Sequence, residues 1–165
     1  MAEAISIIEA KGLRPLSVIQ PQYHMLDRYI EDEIMDLCER YGIGIVPFSP
    51  LAQGLLTGKY RKSEPIPQDS RATLKYNQVN AMLTDDNLEK VEALLQIARE
   101  LGISLPVLSL AWILRRPCIS GVITGASKPE QIEKNVQASA ITLSEDLLNR
   151  IDYIIGYTPL IRRIG

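Results

Sequence analysis

The sequence predicts an α/β domain in which about three parallel strands are flanked by helices. Short apolar runs at residues 16–20, 43–48 and 120–124 alternate with longer segments of helical periodicity. Strands that alternate with helices favour a parallel sheet with right-handed crossovers. The 43–48 run is apolar on both faces, which is typical of a parallel strand covered on both sides. A chain of 165 residues is long enough for one such domain with its own core.

The helices are predicted from their periodicity and from the residues that begin or end them. A helix over about 4–11 ends at Gly12, and a helix over 31–41 ends at Gly42, each glycine suiting a left-handed C-terminal cap. Thr84 is expected to cap a helix that runs to Gly102. Further helices are expected from Ser104 to Pro117, over 129–138, and from Ser144 to about 155. The inward face of the 31–41 helix is expected to carry Ile34, Leu37, Cys38 and Tyr41.

Two other segments are interpreted from their proline and glycine content. The 16–20 strand is expected to be buried and to end at Pro21, which has no backbone donor for a ladder. Residues 52–83 contain Gly54, Gly58, Pro65 and Pro67, so a long connection with one or two helical turns is predicted. Connections of this length inside a compact domain are often functional.

Composition narrows the classes of function. The net charge is -2, and no basic run favours nucleic acid or an anionic membrane. No apolar stretch approaches the roughly 18 residues of a membrane span, and the acidic N-terminus does not resemble a signal peptide. Cys38 and Cys118 are isolated and there is one histidine, so we expect buried free thiols in a reducing cytoplasm and neither a zinc site nor a disulfide.

Ligands of parallel α/β folds bind at the carboxyl ends of the strands. Three polar segments follow the predicted strands at 20–24, 48–59 and 125–135. After Gly125, a helix N-terminus with Ser127 and Lys128 could bind phosphate. The spacing of Ser127 and Glu130 is equally that of a capping box, with Pro129 in the first turn, so both interpretations stay open.

The first two segments carry further candidates, each with a structural alternative. Phe48 could stack on a ligand ring or belong to the core, and Lys59 could neutralise a phosphate or be a solvated loop charge. Gln20, at the end of a strand expected to be buried, needs a hydrogen-bond partner, which a ligand carboxamide or the backbone would supply. His24 has no nearby Ser, Cys or Asp pattern that indicates a catalytic role.

Residues 20–28, 47–60 and 125–135 together resemble the last three strand-and-loop units of aldo-keto reductases. The Tyr23, His24, Met25 triplet is most similar to the branch that contains the β subunits of voltage-gated potassium channels. The resemblance covers about residues 3–156. It implies the C-terminal part of a (β/α)8 barrel, an incomplete barrel over 1–156, with 157–165 as a tail.

The resemblance also implies that the chain binds NADP(H), with roles that follow residue by residue. Gln20 would hold the nicotinamide carboxamide and Phe48 would stack on the nicotinamide. The pyrophosphate would be met by the loop after that ring, and Arg71 would reach the 2′-phosphate. Lys134 stands where the family usually has a glutamate that accepts from adenine. The remaining cofactor-binding residues are Ser49, Pro50, Leu51, Gln53, Gly54 and Lys59 around the pyrophosphate, Gly125 and Ser127 at the phosphate end, and Gln131 and Asn135 at the adenine.

The family's catalytic Asp, Tyr, Lys and His come from its first four strands, which the resemblance does not cover. We therefore expect no catalytic residue and no metal ligand in this sequence, and expect a second chain or self-association to complete the barrel. Three functions stay open. They are one portion of an NADP(H)-dependent oxidoreductase, a non-catalytic nucleotide-sensing or partner-binding module like the channel β subunits, and a gene fragment without a function of its own.

Overall fold

A computed structural model describes residues 1–75 and 78–157. The predicted tail lies outside the described residues except for Tyr157. Among these residues, six α-helices account for most of the regular secondary structure, and short 3-10 turns occupy the connections. The helices are α1 (Ala2–Ala10), α2 (Ile34–Tyr41), α3 (Asp85–Glu100), α4 (Leu105–Leu114), α5 (Pro129–Val136) and α6 (Glu145–Ile155).

The sheet is parallel but shorter than the sequence predicts. Strand β1 (Val18–Ile19) pairs with β2 (Gly44–Ile45), with Ile19 opposite Ile45. The expected third strand is present as a single bridge between Ile45 and Ile119, and not as a strand. Backbone hydrogen bonds nevertheless hold this segment along β2, from Ser120 N to Ile45 O at 2.9 Å and from Ile123 N to Pro47 O at 3.0 Å. The order of the three segments is therefore β1, β2, then 118–123.

One face of the sheet is covered and the other is open. Ile45 and Ile119 are buried on the covered face. The open face carries Val18, which is 53% exposed, and Phe48, which is 40% exposed. The expectation that 16–20 is a buried strand is therefore wrong, because nothing in the described chain covers this side of β1. The helix-rich structure with few parallel strands is consistent with an incomplete barrel.

Helix boundaries follow the predicted caps. Thr84 Oγ1 accepts from Asn87 N at 3.2 Å at the start of α3, and Ser144 Oγ accepts from Leu147 N at 3.3 Å at the start of α6. Gly12, Gly42 and Gly102 all have φ between 59° and 67°, the left-handed conformation that glycine adopts without strain. These predictions are confirmed.

The predicted inward face of the 31–41 helix is confirmed in part, because Cys38 is buried and Ile34 packs against the core. A 3-10 turn at Tyr29–Glu31 precedes α2, which begins at Ile34. Met35 and Cys38 are the buried residues of α2, whereas Tyr41 is exposed. The prediction of Tyr41 on the inward face is wrong, and Met35, which the sequence did not single out, is buried instead.

The described parts of the predicted long connection are residues 52–75 and 78–83. Its helical turns are 3-10 segments at Ala52–Thr57, Arg71–Thr73 and Val79–Met82. Buried Leu55, Leu56 and Val79 anchor it to the core. The connection is therefore packed against the domain and can position the polar side chains that it carries.

A buried ion cluster, formed by Tyr23, Arg28, Glu31, Trp112 and Arg115, ties distant elements together. Arg28 donates to Glu31 at 3.1 and 2.7 Å and also pairs with a carboxylate of α6 at 2.6 Å. Arg115 pairs with Glu31 at 3.0 Å, and the Tyr23 hydroxyl donates to the same carboxylate. The two guanidinium groups lie 4.9 and 3.7 Å from the Trp112 ring centroid. The cluster fixes the turn that follows β1.

The remaining features are the two cysteines, possible metal ligands and possible membrane-spanning helices. Cys38 and Cys118 are buried free thiols, as predicted. Within residues 1–75 and 78–157, no group of three or more His, Cys, Asp or Glu is arranged to hold a metal ion. No single described helix is long and apolar enough to cross a membrane. Helices α3 and α4 meet the length and composition criteria only as a pair, and they are bent by 90° at the break between them.

Candidate functional site

A cavity of about 580 Å³ lies at the carboxyl ends of β2 and of the 118–123 segment. Its size is within the usual range for small-molecule sites. The cavity is bounded by the loop after β2, by the 3-10 turn at Arg71–Thr73, and by the segment that leads into α5. Ten of the thirteen predicted cofactor-binding residues line it: Ser49, Pro50, Leu51, Gln53, Gly54, Lys59, Arg71, Gly125, Ser127 and Gln131.

The loop after β2 has an unusual backbone. Ser49, Ala52 and Gln53 have φ of 56°, 49° and 57°, and Gly54 follows with φ of 99°. Left-handed conformations of this kind cost about 1–2 kcal/mol for each L residue, so they persist only where the surrounding structure holds them. Ala52 is fully buried and provides such an anchor. The strain is concentrated on one wall of the cavity, as is typical of functional sites.

A chain of hydrogen bonds connects this loop to Arg71. Gln53 Nε2 donates to Ser49 Oγ at 2.5 Å, and Arg71 Nη1 donates to Gln53 Oε1 at 2.5 Å. Arg71 Nη2 also lies close to the opposite wall, since a Cβ atom built on Gly125 would be 3.8 Å from it. The guanidinium therefore reaches across the cavity to the wall that contains Gly125.

The cavity has a positive balance of charge. Lys59 and Arg71 line it with one carboxylate, that of Asp69. In the part of the chain that the structure describes, neither Lys59 nor Arg71 is within ion-pair distance of a carboxylate. The Lys59 ammonium lies 5.3 Å from the centroid of the Tyr60 ring, and its side chain passes over Gly54. Two cations not paired in this way can bind an anion without first breaking a salt bridge.

The third wall of the cavity, the segment that leads into α5, does not contain the capping box that the sequence suggested. Helix α5 begins after Lys128, and no side chain caps it. Instead Gln131 Oε1 accepts from Ser127 N at 2.8 Å and lies 3.4 Å from Ser127 Oγ. The capping-box interpretation of Ser127 and Glu130 is therefore wrong, because the side chain one turn further along satisfies the Ser127 amide.

Three predicted residues do not line the cavity: Gln20, Phe48 and Asn135. Gln20 is exposed at the end of β1, so the expectation of a buried amide is wrong. Phe48 is not a core residue either. It lies on the open face of the sheet, where its backbone bridges to Gln22. Asn135 is half-buried in the last turn of α5.

Five residues that the sequence did not single out also line the cavity: Thr57, Asp69, Ile123, Thr124 and Ala126. Thr57 Oγ1 donates to Gly54 O at 2.7 Å and closes the strained loop. Ile123 and Thr124 precede Gly125 at the end of a strand-like segment. Their position at a predicted strand end could have identified them as lining residues. Nothing in the spacing of Asp69 and Thr57 indicated that they would lie together.

His24 follows β1 but is enclosed by the core. It is buried, Leu26 N donates to its Nδ1 at 3.2 Å, and its Nε2 has no hydrogen-bond partner among the described residues. Burial lowers the pKa of His24 to about 4, and the Asp27 carboxylate only partly opposes this shift. The imidazole is therefore neutral at pH 7, and it does not line the cavity.

Comparison with known proteins gives a consistent result. A model of the aldo/keto reductase family matches residues 1–155. A probable voltage-gated potassium channel subunit beta from Oryza sativa subsp. japonica is 40% identical over 164 residues, which cover 96% of this chain and 50% of the rice protein. A protein of the same description from Arabidopsis thaliana is 43% identical over 86% of this chain and 44% of its own length.

An enzyme is among the relatives as well. L-glyceraldehyde 3-phosphate reductase from Escherichia coli (strain K12) is 40% identical over 148 residues, which cover 86% of this chain and 42% of the enzyme. The chain thus spans about half the length of the curated relatives that it matches. Both channel subunits and a reductase share the matched region.

Proposed function

Because the chain belongs to the aldo/keto reductase family, we propose that it is the NADP(H)-binding portion of an oxidoreductase of this kind. In the complete barrel the reaction would be hydride transfer between a carbonyl compound and the corresponding alcohol. The catalytic tetrad would come from outside these 165 residues. The observation that carries the proposal is the cavity in which Lys59 and Arg71 lie without a carboxylate partner in the described chain.

The cavity residues fit a dinucleotide phosphate. The Lys59 ammonium and the strained loop 49–54 would hold the pyrophosphate, and Arg71 would bind the 2′-phosphate in a charge-assisted, bidentate manner. Gly125 and Ser127 would complete the phosphate end. The side-chain oxygen of Gln131 already accepts from the Ser127 amide. The NH2 group of Gln131 would donate a hydrogen bond to the adenine, and Asn135 would also contact the adenine.

The nicotinamide would lie outside the cavity, on the open face of the sheet. Gln20 and the half-exposed ring of Phe48 are both accessible there, at the carboxyl ends of β1 and β2. Phe48 would stack on the nicotinamide and Gln20 would hydrogen-bond the carboxamide. When bound, NADPH supplies the hydride, while this chain orients the cofactor and a group outside it donates the proton to the carbonyl.

The same open face supports the proposal of an incomplete barrel over residues 1–156. Val18 and Phe48 are exposed on the sheet, and Ile132 and Val136 are exposed one turn apart on α5. A (β/α)8 barrel closes with eight strands, whereas the described residues supply three strand-like segments. A second chain, or a second copy, would cover these apolar surfaces.

A second candidate function is a non-catalytic module that binds the nucleotide and a partner protein. The names of the rice and Arabidopsis relatives favour it. The two candidates share the cofactor site and differ in turnover. NADPH binding without carbonyl reduction, in the presence of whatever completes the barrel, would favour the second.

Direct titration tests the proposal. Trp112 is the only tryptophan of the chain, so quenching of its fluorescence and energy transfer to the nicotinamide would report binding of NADPH. Circular dichroism of the same sample would show whether the chain is folded. Saturable binding by a folded chain is the expected result. A folded chain that does not bind NADPH at millimolar concentration would refute the assignment of the site.

A further inference from the structure

A second cavity lies at the opposite end of the sheet from the candidate nucleotide site. Its volume is about 700 Å³, larger than that of the first cavity. It is enclosed by the end of α4, by the connection from α5 to α6 and by α6 itself, and the α2 residue Glu39 contributes to its rim. All of these elements belong to this chain, so the cavity needs no partner to form.

The cavity contains one arginine, Arg116, whose ion pair is weak, and it also has an apolar wall. Arg116 Nη2 is 3.8 Å from Glu39 Oε1, beyond hydrogen-bond distance, and Arg116 Nε has no hydrogen-bond partner among the described residues. The adjacent Arg115 is committed elsewhere, since it donates to Trp112 O at 2.6 Å and pairs with Glu31. Leu143 and Leu148 line the same space.

We infer that this cavity binds a small organic acid, whose carboxylate pairs with Arg116 and whose apolar chain packs against Leu143 and Leu148. A guanidinium is the group best suited to bidentate recognition of a carboxylate. The hydroxyl of Thr142, exposed at the rim, can donate a further hydrogen bond, whereas that of Ser139 already donates to Val136 O at 2.8 Å. The ligand class is thus a monocarboxylate with a short aliphatic chain.

Glu39 acts as the resident counter-ion that such a ligand replaces. Its long contact with Arg116 costs little to break. Glu39 also interacts with the thiol of Cys118, and burial, together with this carboxylate, raises the pKa of that thiol to about 11. The thiol therefore stays protonated at neutral pH and continues to offer Glu39 a hydrogen-bond donor after the ligand takes Arg116.

Isothermal titration of the full chain with hexanoate and with acetate, in a buffer free of phosphate, tests the inference. We expect hexanoate to bind at least about tenfold more tightly than acetate, because its extra methylenes are removed from water. Arg116→Gln should weaken hexanoate at least about tenfold, and Glu39→Gln should strengthen it because a competing anion is removed. Arg14→Ala, which removes an exposed charge outside the cavity lining, is the matched control.

Several outcomes would overturn the inference. Equal affinities for acetate and hexanoate would show that the apolar wall does not contribute. Hexanoate binding that is unchanged in Arg116→Gln, or weakened in Glu39→Gln, would show that the carboxylate does not pair at this arginine. The Glu39→Gln and acetate measurements remain decisive if Arg116→Gln fails to fold. The NADPH affinity of each folded variant should equal that of the wild type.

Discussion

Replacement of Arg71 by alanine is expected to weaken NADPH far more than NADH. Only NADPH carries the 2′-phosphate, so only NADPH loses an ion pair with the guanidinium. Hydrogen bonds to a charged group contribute about 1.5–3 kcal/mol. Arg71 is exposed, so we expect this ion pair to contribute toward the lower end of that range. A loss of about 1.5–2 kcal/mol corresponds to roughly 10- to 30-fold in affinity.

A smaller loss common to both cofactors is also expected. Arg71 donates to Gln53 at 2.5 Å and so supports the strained loop 49–54. Its removal loosens that loop and should weaken NADPH and NADH alike by about two- to threefold, the effect of one modest hydrogen bond. Because this second loss is common to both cofactors, the discrimination between them should still fall by roughly 10- to 30-fold in the variant.

The assay is a pair of fluorescence titrations, with NADPH and with NADH, on the wild type and on Arg71→Ala. Arg14→Ala removes the same charge from an exposed position outside the cavity lining and should leave both affinities unchanged. Equal weakening of NADPH and NADH by Arg71→Ala would refute the assignment of this residue to the 2′-phosphate. Equal weakening by both variants would indicate a general effect of charge.

Three further predictions concern stability, each measured by urea unfolding. Arg28→Ala should cost about 1.5–3 kcal/mol, because it removes two charge-assisted hydrogen bonds to the buried Glu31 carboxylate, which keeps Arg115 as its other ion-pair partner. Arg99→Ala, at an exposed pair, should change stability by less than about 0.5 kcal/mol. Burial holds the pKa of His24 near 4, so the unfolded state binds more protons between pH 6.5 and 4 and stability falls as the pH is lowered through that window. The loss attributable to His24 should reach about 3 kcal/mol and should be absent in His24→Gln, and an identical acid dependence in both proteins would contradict the burial argument. Gly58→Ala should cost about 2–3 kcal/mol, since φ is 74° and the new Cβ would be 2.8 Å from a leucine side chain; at Gly121 the Cβ would meet nothing within 4 Å, so Gly121→Ala should be close to neutral.

The helices could be predicted from sequence because their signals are local. Thr84 and Ser144 cap their helices through hydrogen bonds to residues three positions on, and Gly42 and Gly102 end theirs in left-handed conformations. The error in α2 is confined to its last turn, where Tyr41 is exposed although Cys38, three residues earlier, is buried. Burial at a helix end depends on the neighbouring elements, which periodicity does not specify.

The strands were harder, because strand length depends on neighbours that a single sequence does not specify. Val18 belongs to an apolar run, yet it is 53% exposed since nothing in the described chain covers that face. The segment 118–123 is hydrogen-bonded to β2 on one side only, and this leaves it short of a regular strand. An apolar run indicates that burial is needed and does not indicate what provides it.

The candidate site could be located because two of the three polar segments that follow predicted strands, 48–59 and 125–135, contribute to the cavity, whereas the segment 20–24 does not. Their convergence follows from parallel topology, which places Ser49 and Gly125 at the same end of the sheet. The details within the site could not be predicted. The link from Arg71 to Gln53 spans 18 residues, and the Ser127 amide is capped by Gln131 and not by its own capping-box partner.

The most direct test of the central claim is the phosphorus NMR signal of the NADP⁺ 2′-phosphate, followed through a pH titration with and without the chain. A phosphate monoester has its second pKa near 6. Pairing with Arg71 favours the dianion, so we expect this pKa to fall when NADP⁺ is bound and to return toward the free value in Arg71→Ala. A bound 2′-phosphate that titrates like that of free NADP⁺ would refute the assignment of Arg71 to this phosphate.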